Sequence, residues 1–336
     1  LQDLAERMRN VDVTPEVFAA LKDGYRRGLQ NRRFAEPYAQ AQVDQRLLLE
    51  HPSVPDEALL EALGPVTLEQ VQEYARHLFD RVYVQGVVVG NLDPEQARQG
   101  IQKLLETLHS RPLPRAQRVE EQVQPLPEGA DSVLAQRLAV SNSLALVYSQ
   151  AGQTTPTLRA ALQLIARPLE DSYYFNLRTQ QQLGYIVYAG TSQIQKTLGL
   201  AMLAQSGTYP ADVLLARTEA FVPRFIAQFQ DLPQQSFDQY RMAVLQSKLQ
   251  RDKTLDDTAQ RLFYTAFRND ADWDYLSADL RATEALRKPV VLRLLQQTLA
   301  APSRRRLVIE LFGKDAPARP ARGRVVRLPQ TLQPAG

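Results

Sequence analysis

Phe175-Asn176-Leu177-Arg178-Thr179-Gln180-Gln181-Gln182-Leu183-Gly184-Tyr185-Ile186-Val187 runs from the end of one regular element into the start of another. Upstream of it, Leu158, Ala161, Leu162, Ile165, Leu169, Tyr173 and Leu177 recur at helical spacing behind Pro156, which suits a first helical turn. Gly184 breaks that pattern. Tyr185-Ile186-Val187-Tyr188-Ala189 then reads as a strand, with Leu198–Ala204 as its antiparallel partner. A long helix feeding a strand that returns as a hairpin points to a sheet with helices laid on it, an α+β arrangement. The same stretch carries the main chemical candidates. Arg178 falls in the last turns of the helix and Tyr185 opens the strand, so both can converge at one sheet edge. A guanidinium and a phenol are suitable donors to a peptide carbonyl that gains negative charge. Arg178 as a helix C-terminal cap, with Tyr185 as a half-buried strand residue, accounts for the same residues.

Working outward, Ser132–Ala139 and Ser143–Ser149 read as two strands around a Ser-Asn-Ser turn, and helices are expected at about 210–230, 234–251, 255–269 and 288–300. Arg306–Gly313 forms a last strand, and a tail rich in Pro and Arg follows, expected to wrap the surface or hang loose. Pro112, Pro114, Pro125 and Pro127 stand among polar residues and mark an extended linker over 111–130. The first 110 residues read as helices, with one buried strand over Val82–Asn91 before a final helix that starts at Asp93-Pro94-Glu95. Ala62-Leu63-Gly64-Pro65-Val66 leads through a helix to a strand ending at Gly90-Asn91. Ala285-Leu286-Arg287-Lys288-Pro289-Val290 does the same, ending at Gly313-Lys314, 223 to 224 positions later. A repeat of that length is a duplicated domain. The expected fold is therefore α+β with two similar domains, each an antiparallel-rich sheet with helices packed on one face. The first copy lacks the strands and long helix of the second and reads as truncated at its N-terminus. In keeping with that, the chain opens at Leu1 on an apparent helix face (Leu1, Leu4, Ala5, Met8), with no leader-like region, and is expected to begin inside a longer protein.

Of the 336 residues 44% are hydrophobic and 23% charged, enough for about two domains. A net charge of +3 spread along the chain reads as a solvated surface, and no helix-turn-helix, zinc-finger or RNP-like motif accompanies it, so no nucleic-acid partner is expected. No apolar run approaches the ~18–20 residues of a membrane helix, and no membrane partner is expected. With no cysteine there are no disulfides and no thiolate chemistry, which suits a periplasmic protein and is compatible with a cytoplasmic one. The three histidines, His51, His77 and His109, lie in neither H-E-x-x-H nor H-x-x-E-H; His77 reads as a surface partner of Glu73. No nucleophile elbow, Walker loop or dinucleotide fingerprint is present.

The run Phe-Asn-Leu-Arg-Thr-x-x-Gln-Leu-Gly-Tyr-Ile-Val resembles the signature of the C-terminal half of pitrilysin/insulysin-family (inverzincin) zinc metallopeptidases, met here by Arg178, Gln182, Leu183, Gly184, Tyr185 and Val187. Asn31-Arg32-Arg33-Phe34-Ala35-Glu36-Pro37, Pro65-Val66-Thr67-Leu68 and Val89-Gly90-Asn91 are similar to the same family, so the likeness covers about residues 10–300. The resemblance implies residues 1–110 as the C-terminal part of a third domain, 111–130 as linker, 131–313 as a fourth domain and 314–336 as a tail. It implies a zinc-dependent endopeptidase in which zinc is bound by an N-terminal half, this chain binds none and is inactive alone, and the partners are that zinc-bearing half and peptide substrates. Arg178 and Tyr185 are then the catalytic contacts, positioning the scissile carbonyl, with Gln182, Gly184, Ile186 and Val187 as substrate-binding residues. A non-catalytic scaffold subunit, or a peptidase that trims a precursor in pyrroloquinoline quinone biosynthesis, would share the pattern.

Overall fold

A computed structural model describes residues 2–9, 12–317 and 322–329. Leu1, and the tail at 318–321 and 330–336, lie outside the described residues, as do the side chains of Leu4 and Met8.

The first part is helical: α1 (Gln2–Arg9), α2 (Pro15–Asn31), α3 (Pro37–Leu49), α4 (Asp56–Leu63), α5 (Leu68–Leu78) and α6 (Pro94–Thr107). Their starts are written locally. Thr14 Oγ1 accepts from Val17 N at the head of α2, and Thr67 with Gln70 and Asp93 with Gln96 close reciprocal capping boxes on α5 and α6. The strand expected over Val82–Asn91 is not there. Only Arg81–Val82 (call the pair β2, after β1 at Glu50–His51) forms a ladder, running parallel to β3 (Arg111–Pro112). Val84 and Val88 are 44% and 48% exposed. A strand needs neighbours for its backbone groups and a layer over its side chains, and among the described residues β3 pairs only its first end, while α6 reaches it only in part, through Ile101 beside Gly86. Its counterpart in the second half, by contrast, lies centrally in a sheet.

The 111–130 segment is extended but stitched down. β4 (Gln122–Val123) pairs antiparallel with β1, and Leu126 is buried, its N–H donating to Gln150 Oε1 at 2.9 Å.

The second part holds β5 (Asp131–Arg137), β6 (Ser143–Gln153), β7 (Ile186–Ile194), β8 (Thr197–Ser206), β9 (Arg305–Phe312) and the short β10 (Arg324–Val325), in the order β10-β5-β9-β6-β8-β7. β9–β6, β6–β8 and β8–β7 are antiparallel; β5–β9 and β10–β5 are parallel. The described stretch of the tail thus runs as an added edge, with Val326 and Leu328 packed inward. Between the strands come α7 (Pro156–Tyr173), α8 (Ala211–Asp231), α9 (Gln234–Lys248), α10 (Leu255–Phe263), α11 (Tyr275–Ala285) and α12 (Lys288–Leu299). α7, α8 and α12 cover one sheet face through Val147, Leu200, Met202 and Ala204, with α9 packed on α7 and an aromatic file of Tyr173, Phe221, Phe225, Phe229 and Phe237 among them.

The opposite face is covered too. Leu146, Tyr148, Leu203, Ile309 and Leu311 pack with Ala41 and Leu49 of α3 and with Leu126. Every residue of β8 is therefore buried, which explains a continuous rather than alternating apolar run there. Helical pairs repeat between the two halves: α2 packs on α4 as α9 does on α11, and α1 on α5 as α8 does on α12. No helix among the described residues is long and apolar enough to cross a membrane.

Candidate functional site

α7 does not stop at Tyr173. Its backbone widens into π-type turns over Tyr174–Gln180, with Gln181 N donating to Asn176 O at 3.0 Å, five residues back. Such widening is common where a helix presents a side chain for function. Leu177 is fully buried and Leu183 nearly so, and Leu183 N donates to Leu177 O at 3.0 Å, so the turn is nailed down at both ends. Gln182 takes a positive φ of 51° and reverses the chain. Gly184 then passes against β8 so closely that a Cβ there would lie 1.8 Å from the Gln205 carbonyl oxygen. Only a residue without a side chain makes that pass with the strand in place.

Beyond this, Tyr185 is 85% exposed, and the Arg178 guanidinium carbon sits 5.3 Å from the centre of its ring. That is cation–π distance. Neither Arg178 nor the Tyr185 hydroxyl has a hydrogen bond or ion pair among the described residues. Arg178 therefore does not cap the helix carbonyls, and Tyr185 is not half-buried. The arrangement leaves guanidinium N–H groups and a phenol O–H together, facing outward and uncommitted.

The other four sequence candidates separate. Gln182 is exposed beside the pair. Gly184 contributes its close backbone. Ile186 packs partly against the α3 side of the sheet, and Val187 is buried in the helix-side core. The side chains of the last two are held in packing, so what β7 can offer a ligand at 186–187 is backbone. β7 ends the sheet, and its outer N–H and C=O groups have no strand beside them among the described residues. A free edge of this kind accepts an extended peptide as a further strand.

Alongside it lies a hollow of about 220 Å³ lined by Glu170, Asp171, Tyr174 and Tyr188 with Val187 and Ala189. Tyr188 is 47% exposed, and burial of the rest of its ring, then Glu170, holds its hydroxyl pKa above the usual value. Sequence reasoning passed over Glu170, Asp171, Tyr174 and Tyr188. Tyr174 stands one turn before Arg178 and Tyr188 three residues after Tyr185, spacings that were visible once the helix-to-strand junction was taken as the site.

Among the described residues no set of side chains fits zinc. No group of three or more His, Asp or Glu side chains among the described residues is placed to hold a metal ion. His77 spends both ring nitrogens on Asp80 (2.9 Å) and Glu73 (3.1 Å), and the hydrogen bond to Asp80, then that to Glu73, raises its pKa.

Residues 164–263 match the family model described as PQQ synthase PqqF-like, C-terminal lobe domain 4. The chain is 26% identical over 331 residues to the insulin-degrading enzyme of Mus musculus, covering 96% of this chain and 32% of that protein. It superposes on the crystal structure of pitrilysin with a TM-score of 0.82 at 20% identity, covering 92% of this chain and 33% of that one. On the periplasmic protease PqqL from Escherichia coli the TM-score is 0.61 at 16% identity, covering 90% and 33%. The chain thus spans about a third of the length of the curated relatives it matches.

Proposed function

The chain belongs to the C-terminal half of a pitrilysin/insulysin-family protein, and on that premise we propose that it forms the chamber wall and the substrate contacts of a zinc-dependent endopeptidase whose metal is carried by an N-terminal half. The hydrolytic chemistry belongs to that other half, and this chain by itself is inactive. What its residues contribute is position and charge. The peptide lies along the outer edge of β7, bonded to strand backbone at 186–187 and flanked by Gln182. Arg178 and Tyr185 donate to the scissile carbonyl as its oxygen gains charge. Because such donors act more strongly on the charged oxygen than on the neutral carbonyl, they lower the barrier rather than merely tighten binding.

The observation that carries this reading is the outward-facing, otherwise unpartnered Arg178–Tyr185 pair at 5.3 Å. On the same reading, residues 1–110 are part of one domain and 131–313 a second, joined through 111–130; the recurrence of α2–α4 packing in α9–α11 supports the division. We place the protein in the periplasm, the compartment named for PqqL.

The test is peptide cleavage by this chain joined to its N-terminal half, with and without chelator. Tyr185→Phe is expected to depress kcat by on the order of 100- to 1000-fold with little change in KM. Unchanged kcat would return Tyr185 to surface packing, and no cleavage by either form would leave a scaffold. The match of residues 164–263 to a PqqF-like domain favours one second reading, trimming of a cofactor precursor peptide. Cleavage of many unstructured peptides would argue against it.

A further inference from the structure

At the other end of the sheet from β7, where β5 meets the helices of the first part, lies a cavity of about 730 Å³. Leu29, Val43, Leu47, Leu60 and Leu138 give it apolar walls. Asp44 of α3 stands in that lining, only 7% exposed. Its Oδ2 accepts from Gln136 Nε2 of β5 at 2.5 Å, and this amide is its one hydrogen-bond partner among the described residues. An asparagine oxygen would accept the same bond, so the link between α3 and β5 does not itself call for an acid.

Three arginines and three acids line the cavity, but no cation among the described residues is paired with Asp44. From α4, Asp56 is paired with Arg32 at 2.6 Å, whereas Glu57, exposed at the rim, has no ion pair among the described residues. From the turn after α2, Arg32 is thus committed, and Arg33 lies over the Phe34 ring at 4.7 Å. From β5, Arg137 donates to the carbonyls of Lys314 and Ala316 at 2.8 and 2.9 Å. Of the arginines on the wall, Arg32 is held by Asp56, Arg137 by backbone carbonyls and Arg33 against Phe34, and none forms an ion pair with Asp44 or Glu57 among the described residues. Burial, followed by the neighbouring acids, pushes the Asp44 carboxyl up to about 7, as a missing cation would.

We propose that this cavity binds a protonated amine carried on an apolar body, with the Asp44 carboxylate as its counter-ion and Glu57 at the mouth. The leucines and Val43 take the apolar part, and the one deep carboxylate fixes the charged end, the usual division of labour in a small-molecule site. Binding a cation favours the ionised carboxyl, so affinity rises with pH through the titration of Asp44, and binding near pH 7 releases protons to buffer.

The probe is benzylamine, titrated into the full chain by calorimetry at pH 6 and pH 8, with benzyl alcohol as the uncharged control. Expected are binding of the amine that is tighter at pH 8, no comparable binding of the alcohol, and a loss on the order of 10- to 100-fold in Asp44→Asn. Glu57→Gln, at an exposed position where the fold is not at stake, is expected to weaken binding by a few-fold. Absence of benzylamine binding at pH 8 would overturn the proposal. So would equal affinity for the alcohol, or affinity unchanged in both variants.

Discussion

A methyl group at Gly184 would have to occupy the space of a backbone carbonyl oxygen on β8, and backbone yields far less readily than a side-chain tip. Gly184→Ala is therefore expected to cost about 2 kcal/mol or more of stability, read as a lowered urea midpoint, and to carry Tyr185 away from Arg178. The sequence showed Gly184 as a breaker between helix and strand. It could not show why glycine is needed, because the reason is Gln205, twenty-one residues away and on another strand. The paired candidates Arg178 and Tyr185 were legible for the opposite reason: both belong to one local junction. Asp44 was not legible, because nothing in α3's own sequence marks a carboxylate that will be buried against β5. Its consequence for stability has a definite sign. A carboxyl raised from 3.8 to about 7 on folding binds its proton more tightly in the folded state. Its stabilising contribution is present below about pH 4 and is lost as pH rises to 7, over a span worth roughly 4 kcal/mol. The urea midpoint of the wild type minus that of Asp44→Asn should fall across pH 4 to 7 and level off above it; a flat difference would mean the carboxyl is solvated.

α11 is the element that periodicity missed. Tyr275–Ala285 has few large apolar residues, and two of its buried positions are Asp279 and Thr283. The core-facing stripe is polar, so it does not read as one. What holds α11 is charge. Asp279, 1% exposed, accepts from Arg159 Nε of α7 at 2.9 Å and from Lys248 Nζ at the end of α9 at 3.0 Å, while Arg159 lies over the Tyr275 ring at 4.0 Å. Three helices thus meet on one carboxylate. Removing it leaves Arg159 and Lys248, both largely buried, without their counter-ion, so Asp279→Ala is expected to destabilise the chain by about 3–5 kcal/mol. Chemical denaturation measures the loss, and a change below about 1 kcal/mol would show that water replaces the carboxylate. The strand misread at Val82–Asn91 is the converse case. Its apolar run is as strand-like as that of β9, but a strand is made by its neighbours, and periodicity within the segment carries no information about whether they are present.

At the scale of the whole molecule, the expectation of helices on one face of each sheet understates what couples the two parts. The sheet of the second part is buried on both faces, and the cover on its second face comes from α3 and Leu126, which lie before its first strand. The sequence carried this in the continuous apolar runs of β6, β8 and β9, whose alternation should have survived had one face been wet. Bonds reinforce the packing: Gln205 on β8 accepts from Tyr38 N at 3.0 Å and donates to Glu36 Oε2 at 2.8 Å, both residues standing at the head of α3. Gln205 is also the residue whose main-chain carbonyl confines Gly184, so the seat of α3 and the base of the Arg178–Tyr185 junction share one residue, through its side chain and its backbone respectively. The second part should accordingly not hold its native packing by itself. A chain cut to residues 131–317 would expose Tyr148, Leu203, Ile309 and Leu311 as one apolar face, larger than a folded monomer ordinarily leaves open. Expected are retained far-UV dichroism, a weakened near-UV signal and binding of a hydrophobic dye, with loss of a sharp thermal transition. A cooperative melt without dye binding would show instead that α3 rests on a sheet already fixed without it.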